Sequence, residues 1–336
     1  MRRAGGSIRA SDGGAMGRRL AVAVVVVFAA TAVLADVLAS DRPLLLHLDG
    51  RLYVLPNAID YDALAGRSGD DLRAAMDRDD WAVWPPVPYA PDTVRTRGAL
   101  RVLEPPSADH WLGTDDRGRD VLARLIHGAR TAAVLALGVA GLALAVGGAL
   151  GAFAAWRRGL VDAAIMAGCD VVAAVPGIVV VVAAQGLIGR GGLGAMIALV
   201  ALPRVAALAR VVRAALAAAL AEPYCDAARA AGASERRVVV RHALPHAAGP
   251  AAVATALSAA TAVLSEAALG FVGFGAPPPA ASWGELLQQA HENGLAWWLA
   301  APAGTAIALA AAAFDGLAHR PRRQPLTLPA VSPPTR

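Results

Sequence analysis

Lysine is absent from this 336-residue sequence: all 31 basic residues are arginine. A nucleotide-binding P-loop uses a lysine to reach the terminal phosphates, so the chain has no such ATP site of its own. Cysteine is almost missing too. Cys169 lies in an apolar run and Cys225 in a polar stretch, which does not make a disulfide framework. Charged residues reach only 17% and aromatics 5%, whereas hydrophobic residues reach 57%, with a mean hydropathy of +0.50. That balance excludes an ordinary soluble domain and implies a multispanning protein set in a lipid bilayer. The motifs HExxH and GxSxG are also lacking, which disfavours an intramembrane hydrolase. A net charge of +5 would suit a nucleic-acid binder, but the arginines form no aromatic-studded basic face, so no nucleic-acid partner is expected.

Residues 1–40 comprise a glycine-rich tail carrying Arg2, Arg3, Arg9, Arg18 and Arg19, then an apolar run from Leu20 through Val33 to Leu38. One reading is a cleaved signal peptide, with Val33 and Ala35 before Asp36 as the small-residue site. The run exceeds a usual signal core and reaches the roughly twenty residues of a crossing, which favours an uncleaved first helix with a cytoplasmic tail. Residues 41–130 are charged and proline-rich, and their apolar pieces are too short to cross. They are expected to form an extracytoplasmic lobe; its arginines are tolerated because the positive-inside rule weakens for loops beyond about sixty residues. Trp81, Trp84 and Tyr89 stand among Pro85, Pro86 and Pro88. They read either as an aromatic face for a partner or, preferably, as headgroup-level or small-core residues.

In residues 110–120, HWLGTDDRGRD, Gly113 permits a turn, Thr114 can cap, and Asp115 and Asp116 suit the positive end of a helix beginning there. Acidic residues beside a helix start are more often caps than a paired-carboxylate or metal site. Val121, Leu122, Leu125 and Ile126 make an apolar stripe opposite Arg119, Asp120, Arg124 and Arg130. The lobe is therefore expected to end in a helix lying along the outer membrane surface. Beyond it, apolar spans at 132–156, 163–188, 193–212, 247–272 and 297–318 alternate with short polar breaks. With the first helix they make about six crossings of a hydrocarbon core about 30 Å thick. Arg157 and Arg158, then Arg229, Arg236, Arg237 and Arg241, then Arg320, Arg322 and Arg323 all fall on the side of the N-terminal tail. Both termini are thus expected in the cytoplasm.

Asp170, Arg204, Glu266 and Asp315 lie inside or near spans. Each costs about 2.5–3.5 kcal/mol if it faces lipid at mid-depth, so each is expected to face protein or a water-filled path. Packing contacts along a pathway are preferred to a proton relay, because no intramembrane histidines accompany these carboxylates. Gly138, Gly141, Gly147, Gly148 and Gly151 suit close helix contact.

The polar island at 226–245, DAARAAGASERRVVVRHALP, interrupts the apolar spans. Ala227, Ala228, Ala230 and Ala231 favour helix, Gly232 can close it in the left-handed conformation, and Ser234 suits the N-cap of a second helix that Pro245 ends. In isolation an ordinary amphipathic connector fits equally. The spacing also resembles the EAA loop of ABC importer permeases, matching at Ala227, Ala228, Gly232, Leu244 and Pro245, with Ala233 beside the glycine. Arg241 and His242 look like the Arg-His pair of the peptide-importer branch. Asp226 stands where glutamate is commoner, and His246 where that branch often has asparagine.

Two further stretches resemble the same family. Gly113, Thr114, Asp115, Gly118, Arg119 and Asp120 match the GTDxxGRD signature before the second span of peptide and nickel permeases. Residues 270–287, with Pro277-Pro278-Pro279 and Ser282-Trp283-Gly284, resemble its LSFLGLGxxPPxPSWG segment. There the prolines stop one helix, Ser282 can cap a short one, and Trp283, Trp297 and Trp298 are expected to mark the interface. Phe314-Asp315-Gly316-Leu317 departs from the usual ending. The long segment before residue 110 looks like the enlarged first loop of microcin C-type oligopeptide permeases.

The resemblance implies an all-α polytopic permease subunit in the plasma (inner) membrane, performing no covalent chemistry. Residues 131–319 would be its transmembrane domain, the loop 222–246 the cytoplasmic element that couples to an ATPase, and 320–336 a cytoplasmic tail. No metal or cofactor is expected in this chain, since partner subunits bind the ATP. The implied partners are a homologous second permease, two ABC ATPase subunits or domains and an extracytoplasmic solute-binding protein. An oligopeptide or peptide conjugate is the preferred substrate, and nickel or another small solute is the alternative. His47 and His110 are far apart and read as structural. A sensor or anchor acting through its outer lobe is the remaining reading, and it leaves the polar island without a role.

Overall fold

The apolar runs become helices whose ends are set by proline, glycine and capping side chains. The computed structural model describes residues 8–94, 101–189, 191–277, 279–294 and 296–318. Arg2 and Arg3, Pro278, and the C-terminal segment with Arg320, Arg322 and Arg323 lie outside the described residues. Helix α1 (Ile8–Val33) begins well before the apolar run, so part of the expected tail is helical. One further turn, α2 (Ala35–Leu38), leads into the lobe.

The lobe adds a small sheet to an otherwise helical chain. Strands β1 (Leu45–Leu48) and β2 (Arg51–Val54) form a hairpin, and after α3 (Gly69–Ala75) strand β3 (Trp81–Val83) pairs antiparallel with the other edge of β1. Asp49 and Gly50 both take positive φ, 53° and 72°, as a two-residue turn that twists with its strands requires. Alternation on β1 buries Leu46 and Leu48 against Leu64 and Leu72. Of the lobe aromatics, Tyr89 is buried, Trp84 lies under the Arg73 guanidinium, and Trp81 stacks on His47 and stays exposed. They do not form one face.

Helix α4 (Val121–Leu142) passes through a π segment (Ala143–Gly147) into α5 (Gly148–Arg157), a continuous helix of 37 residues. The helix expected on the membrane surface is therefore the lobe-side end of the same long helix that carries the second apolar run. Its polar residues are satisfied by protein: His127 Nε2 lies 2.8 Å from Ala39 O, and Arg130 bonds Ala32 O and Asp36.

The expected third span is broken. Helices α6 (Gly159–Ala174) and α7 (Gly177–Ile188) meet at 77°. Pro176 removes an amide donor and pushes Val175 into extended backbone, φ −97° and ψ 126°. The pair nevertheless runs antiparallel to α8 (Leu193–Leu220) from end to end. Asp162 meets Arg213, Cys169 O accepts from Arg210 at 2.7 Å, Gly177 lies against Pro203, and Val181 shares a cluster with Val200. Counted as one bent span, the pair stands beside five helices that are each long and apolar enough to cross.

After α8 come α9 (Pro223–Ala230), α10 (Glu235–Arg237), a π segment (Val238–Ala243) and α11 (Leu244–Phe271), the last three continuous over 37 residues. Short α12 (Trp283–Glu292) and α13 (Trp297–Ala318) finish the described chain. Of the expected small-residue contacts, two are close approaches of α5 and its π segment to α8. A Cβ on Gly147 or Gly151 would stand 2.5 Å from Val205 O or 2.3 Å from Ala209 O, whereas Gly141 has nothing within 4 Å. The start of α4 sits at the lobe end, beside α2. The ends of α5 and α8 and the start of α11 meet at the opposite end, where Gly316 of α13 also touches Ala21 of α1.

Candidate functional site

The polar island folds into a hairpin knob at the end remote from the lobe. Pro223 occupies the first turn of α9, where its missing amide is harmless. A Schellman closure ends that helix: Gly232 N–H donates to Arg229 O at 2.9 Å, Ala233 N–H donates to Ala228 O at 3.0 Å, and Gly232 has φ +84°. Arg229 then ties the two arms together. Its Nη1 donates to Asp226 Oδ1 and its Nε to Glu235 Oε1, both at 2.7 Å. The hydrogen bond to Glu235 helps hold the Arg229 pKa above its ordinary value. Cys225 is fully buried beneath, with Leu216, Leu220, Val238 and Val239. Asp226, Ala227, Gly232, Ser234, Arg236 and Arg237 face outward.

Two expectations for the hairpin need correction. Ser234 has N-cap backbone geometry, but its side chain makes no capping hydrogen bond. Pro245 does not end the second helix; it stands in the first turn of α11, after the π segment. The wider π turn and the helix-start position together absorb a proline that would break a regular helix interior. Asp226, Ala227, Ala228, Gly232 and Ala233 thus share the knob. Exposed Arg241 and half-buried His242 lie on the π segment, and Leu244 and Pro245 sit at the root of α11. The His246 ring stacks on Tyr224 at 5.2 Å, a contact with no signature in the sequence.

At the lobe end, the second motif builds a buried charge cluster. Gly113 and Gly118 take φ +72° and +74°, folding the loop so that Asp115 Oδ1 accepts the amides of Arg117 and Arg119, each at 2.9 Å. Asp115 Oδ2 accepts Arg119 Nε at 2.7 Å. Arg119 and Arg124 both reach Glu285 on α12, at 3.3 and 2.5 Å. Asp120 is the true cap of α4, accepting Ala123 N at 2.7 Å, and its other oxygen lies 2.8 Å from His110 Nδ1. Thr114 does not cap: its hydroxyl accepts from Glu104 N and donates to Arg101 O. The six motif residues are brought together, and they serve as turns, caps and ion pairs.

Several partners were invisible in the sequence. Arg124, expected on a polar face, is buried against Glu285. Trp283, expected at an interface, is buried too, with its indole N–H donating to Leu125 O at 2.8 Å. Glu266 is fully buried and accepts from Ser282 Oγ, while Asp170 pairs with Arg210 at 2.9 Å. Asp116 has one buried oxygen without a partner; burial, then the nearby Asp115 charge, raise its pKa. Among the described residues no cluster of three His, Cys, Asp or Glu suits a metal.

A bent helix pair among long apolar ones, a lobe at one end and a closed hairpin at the other define a polytopic membrane protein. Residues 147–322 match the family model described as binding-protein-dependent transport system inner membrane component, and the chain belongs to that family. It is similar to a Brucella suis biovar 1 protein named as a peptide transport system permease, 37% identical over 215 residues, 63% of this chain and 72% of that one. It is 36% identical over 221 residues to the di/tripeptide transport system permease protein DppC of Pseudomonas aeruginosa, covering 64% and 73%. The oligopeptide transport system permease protein OppC of Bacillus subtilis is 33% identical over 191 residues, covering 57% and 62%.

Proposed function

We propose that this chain is one of two permease subunits of an ABC importer that moves oligopeptides or peptide conjugates inward. A separate solute-binding protein delivers the substrate and two ATPase subunits drive the cycle. The observation that carries this reading is the closed hairpin, with its exposed Asp226-Ala227-Ala228 arm and Gly232 turn, at the helix end opposite the lobe. In this reading the knob seats on an ATPase and passes its movement to α8 and α11, and the spans alternate between outward and inward openings. The hairpin and both termini lie in the cytoplasm, α1 is retained, and the lobe helps seat the loaded binding protein outside. Peptides are favoured by the names of the relatives, and larger ones by the long first loop.

The reading is tested by accessibility and uptake together. A cysteine at Ser234 should react with an impermeant thiol reagent only after the cells are opened, and the native Cys169 and Cys225, both buried, keep the background low. Deleting the gene should abolish uptake of labelled oligopeptides. Labelling from outside intact cells, or nickel accumulation lost with peptide uptake unchanged, would overturn it.

A further inference from the structure

Where the α6–α7 pair bends, α7, α8 and α11 border an open cavity of about 240 Å³ lined by Gly177, Ile178, Pro203, Arg204, Leu264 and Ser265. Arg204 stands near the middle of α8. The arginines further along the same helix have carboxylate partners, Arg210 with Asp170 and Arg213 with Asp162. Arg204 makes none among the described residues, only a long hydrogen bond from Nη1 to Thr261 Oγ1 at 3.5 Å. An intramembrane arginine left without a countercharge is expensive, and its side chain lines the cavity instead of packing into a closed core.

The break adds to the positive character of the same space. Pro176 stands at the N-cap with φ −57° and ψ 124°, and the helix that follows opens with Gly177 and Ile178, whose amides precede the first intrahelical acceptors. A guanidinium and a helix start thus border the same space, whose other walls are apolar apart from Ser265. The planar guanidinium fork suits a carboxylate, and Ile178 and Leu264 offer a surface for one side chain.

We propose that this cavity is an anion subsite on the transport path, in which Arg204 receives the C-terminal carboxylate of the passing peptide. It rests on the peptide-import reading above. The subsite holds the chain end at mid-membrane, beside the bend of the third span, and leaves the remaining residues free to vary.

The test uses the complete transporter, reconstituted in proteoliposomes with its binding protein. Uptake is compared for a tripeptide and its C-terminal amide, both first checked for capture by the binding protein. Arg204→Gln should lower uptake of the free acid about tenfold or more, the equivalent of one charge-assisted hydrogen bond, while the amide changes little. Arg204→Lys, which keeps the charge without the fork, should fall between. Equal losses for acid and amide in both variants would make Arg204 a packing residue and overturn the proposal, as would full uptake by Arg204→Gln. If the wild-type complex moves neither peptide, the peptide reading fails first and takes this subsite with it.

Discussion

Arg124 and Glu285 are 161 positions apart in sequence, yet Nη2 of one lies 2.5 Å from Oε2 of the other. The contact joins the lobe-side end of α4 to the short helix before the last. Arg124 is 1% exposed at its side chain and Glu285 23%. Removing one partner of a buried pair costs about 3–5 kcal/mol, and the partial exposure of Glu285 places its loss toward the lower figure. Glu285→Ala should therefore lower the thermal midpoint of the detergent-purified protein, and adding Arg124→Met should restore part of it. A double variant no more stable than the single one would mean that the loss has another source.

Gly232→Val isolates backbone strain, because nothing lies within 4 Å of where its Cβ would point. A β-branched residue at φ +84° should cost about 1–3 kcal/mol locally. Membrane insertion should persist while co-purification with the ATPase and peptide uptake both fall. If both stay at wild-type levels, the hairpin is not the coupling element.

Gly151 and Gly141 lie in one long helix and should respond oppositely to alanine. At Gly151 the new methyl meets Ala209 O, so the variant should lose about 1–3 kcal/mol through overpacking. At Gly141 the methyl enters open space, and better helix propensity should add up to about 1 kcal/mol. Thermal unfolding of the two variants side by side reads the difference in sign.

Asp116 supplies a pH signature. Its pKa is raised above 3.8, first by burial and then by Asp115, so the folded state holds this proton more tightly than the unfolded chain. The associated stability is complete below pH 3.8 and is lost as pH rises through the elevated value. Asp116→Asn should therefore stabilise the protein at neutral pH and leave it unchanged in acid. A difference between wild type and variant that does not vary with pH would show that this carboxyl does not titrate as described.

Much of this architecture was legible in local pattern. The spans follow from apolar run length, the turn at Gly232 from a glycine after four alanine positions, and α12 from Ser282, which accepts Glu285 N. Continuity was harder to read. Pro245 reads as a stop but stands in a first turn, and Gly128, inside α4, leaves room for the Trp283 ring. Local preference cannot distinguish a glycine that bends from one that is packed against. The ion pairs to Glu285 were beyond reach altogether, since no periodicity links positions so distant along the chain.

The uninterrupted helix Val121–Arg157 is about 55 Å long at 1.5 Å per residue, nearly twice the hydrocarbon thickness of about 30 Å. If its Arg157 end is anchored near one headgroup layer, some two dozen ångströms overhang the other. Arg124, almost at the far tip, then rides on a mast above the lipid, and its charge incurs no insertion penalty. The same overhang carries the lobe and its ion pairs on the end of the span, so tilting the rod at the hairpin end would sweep the lobe through the larger arc.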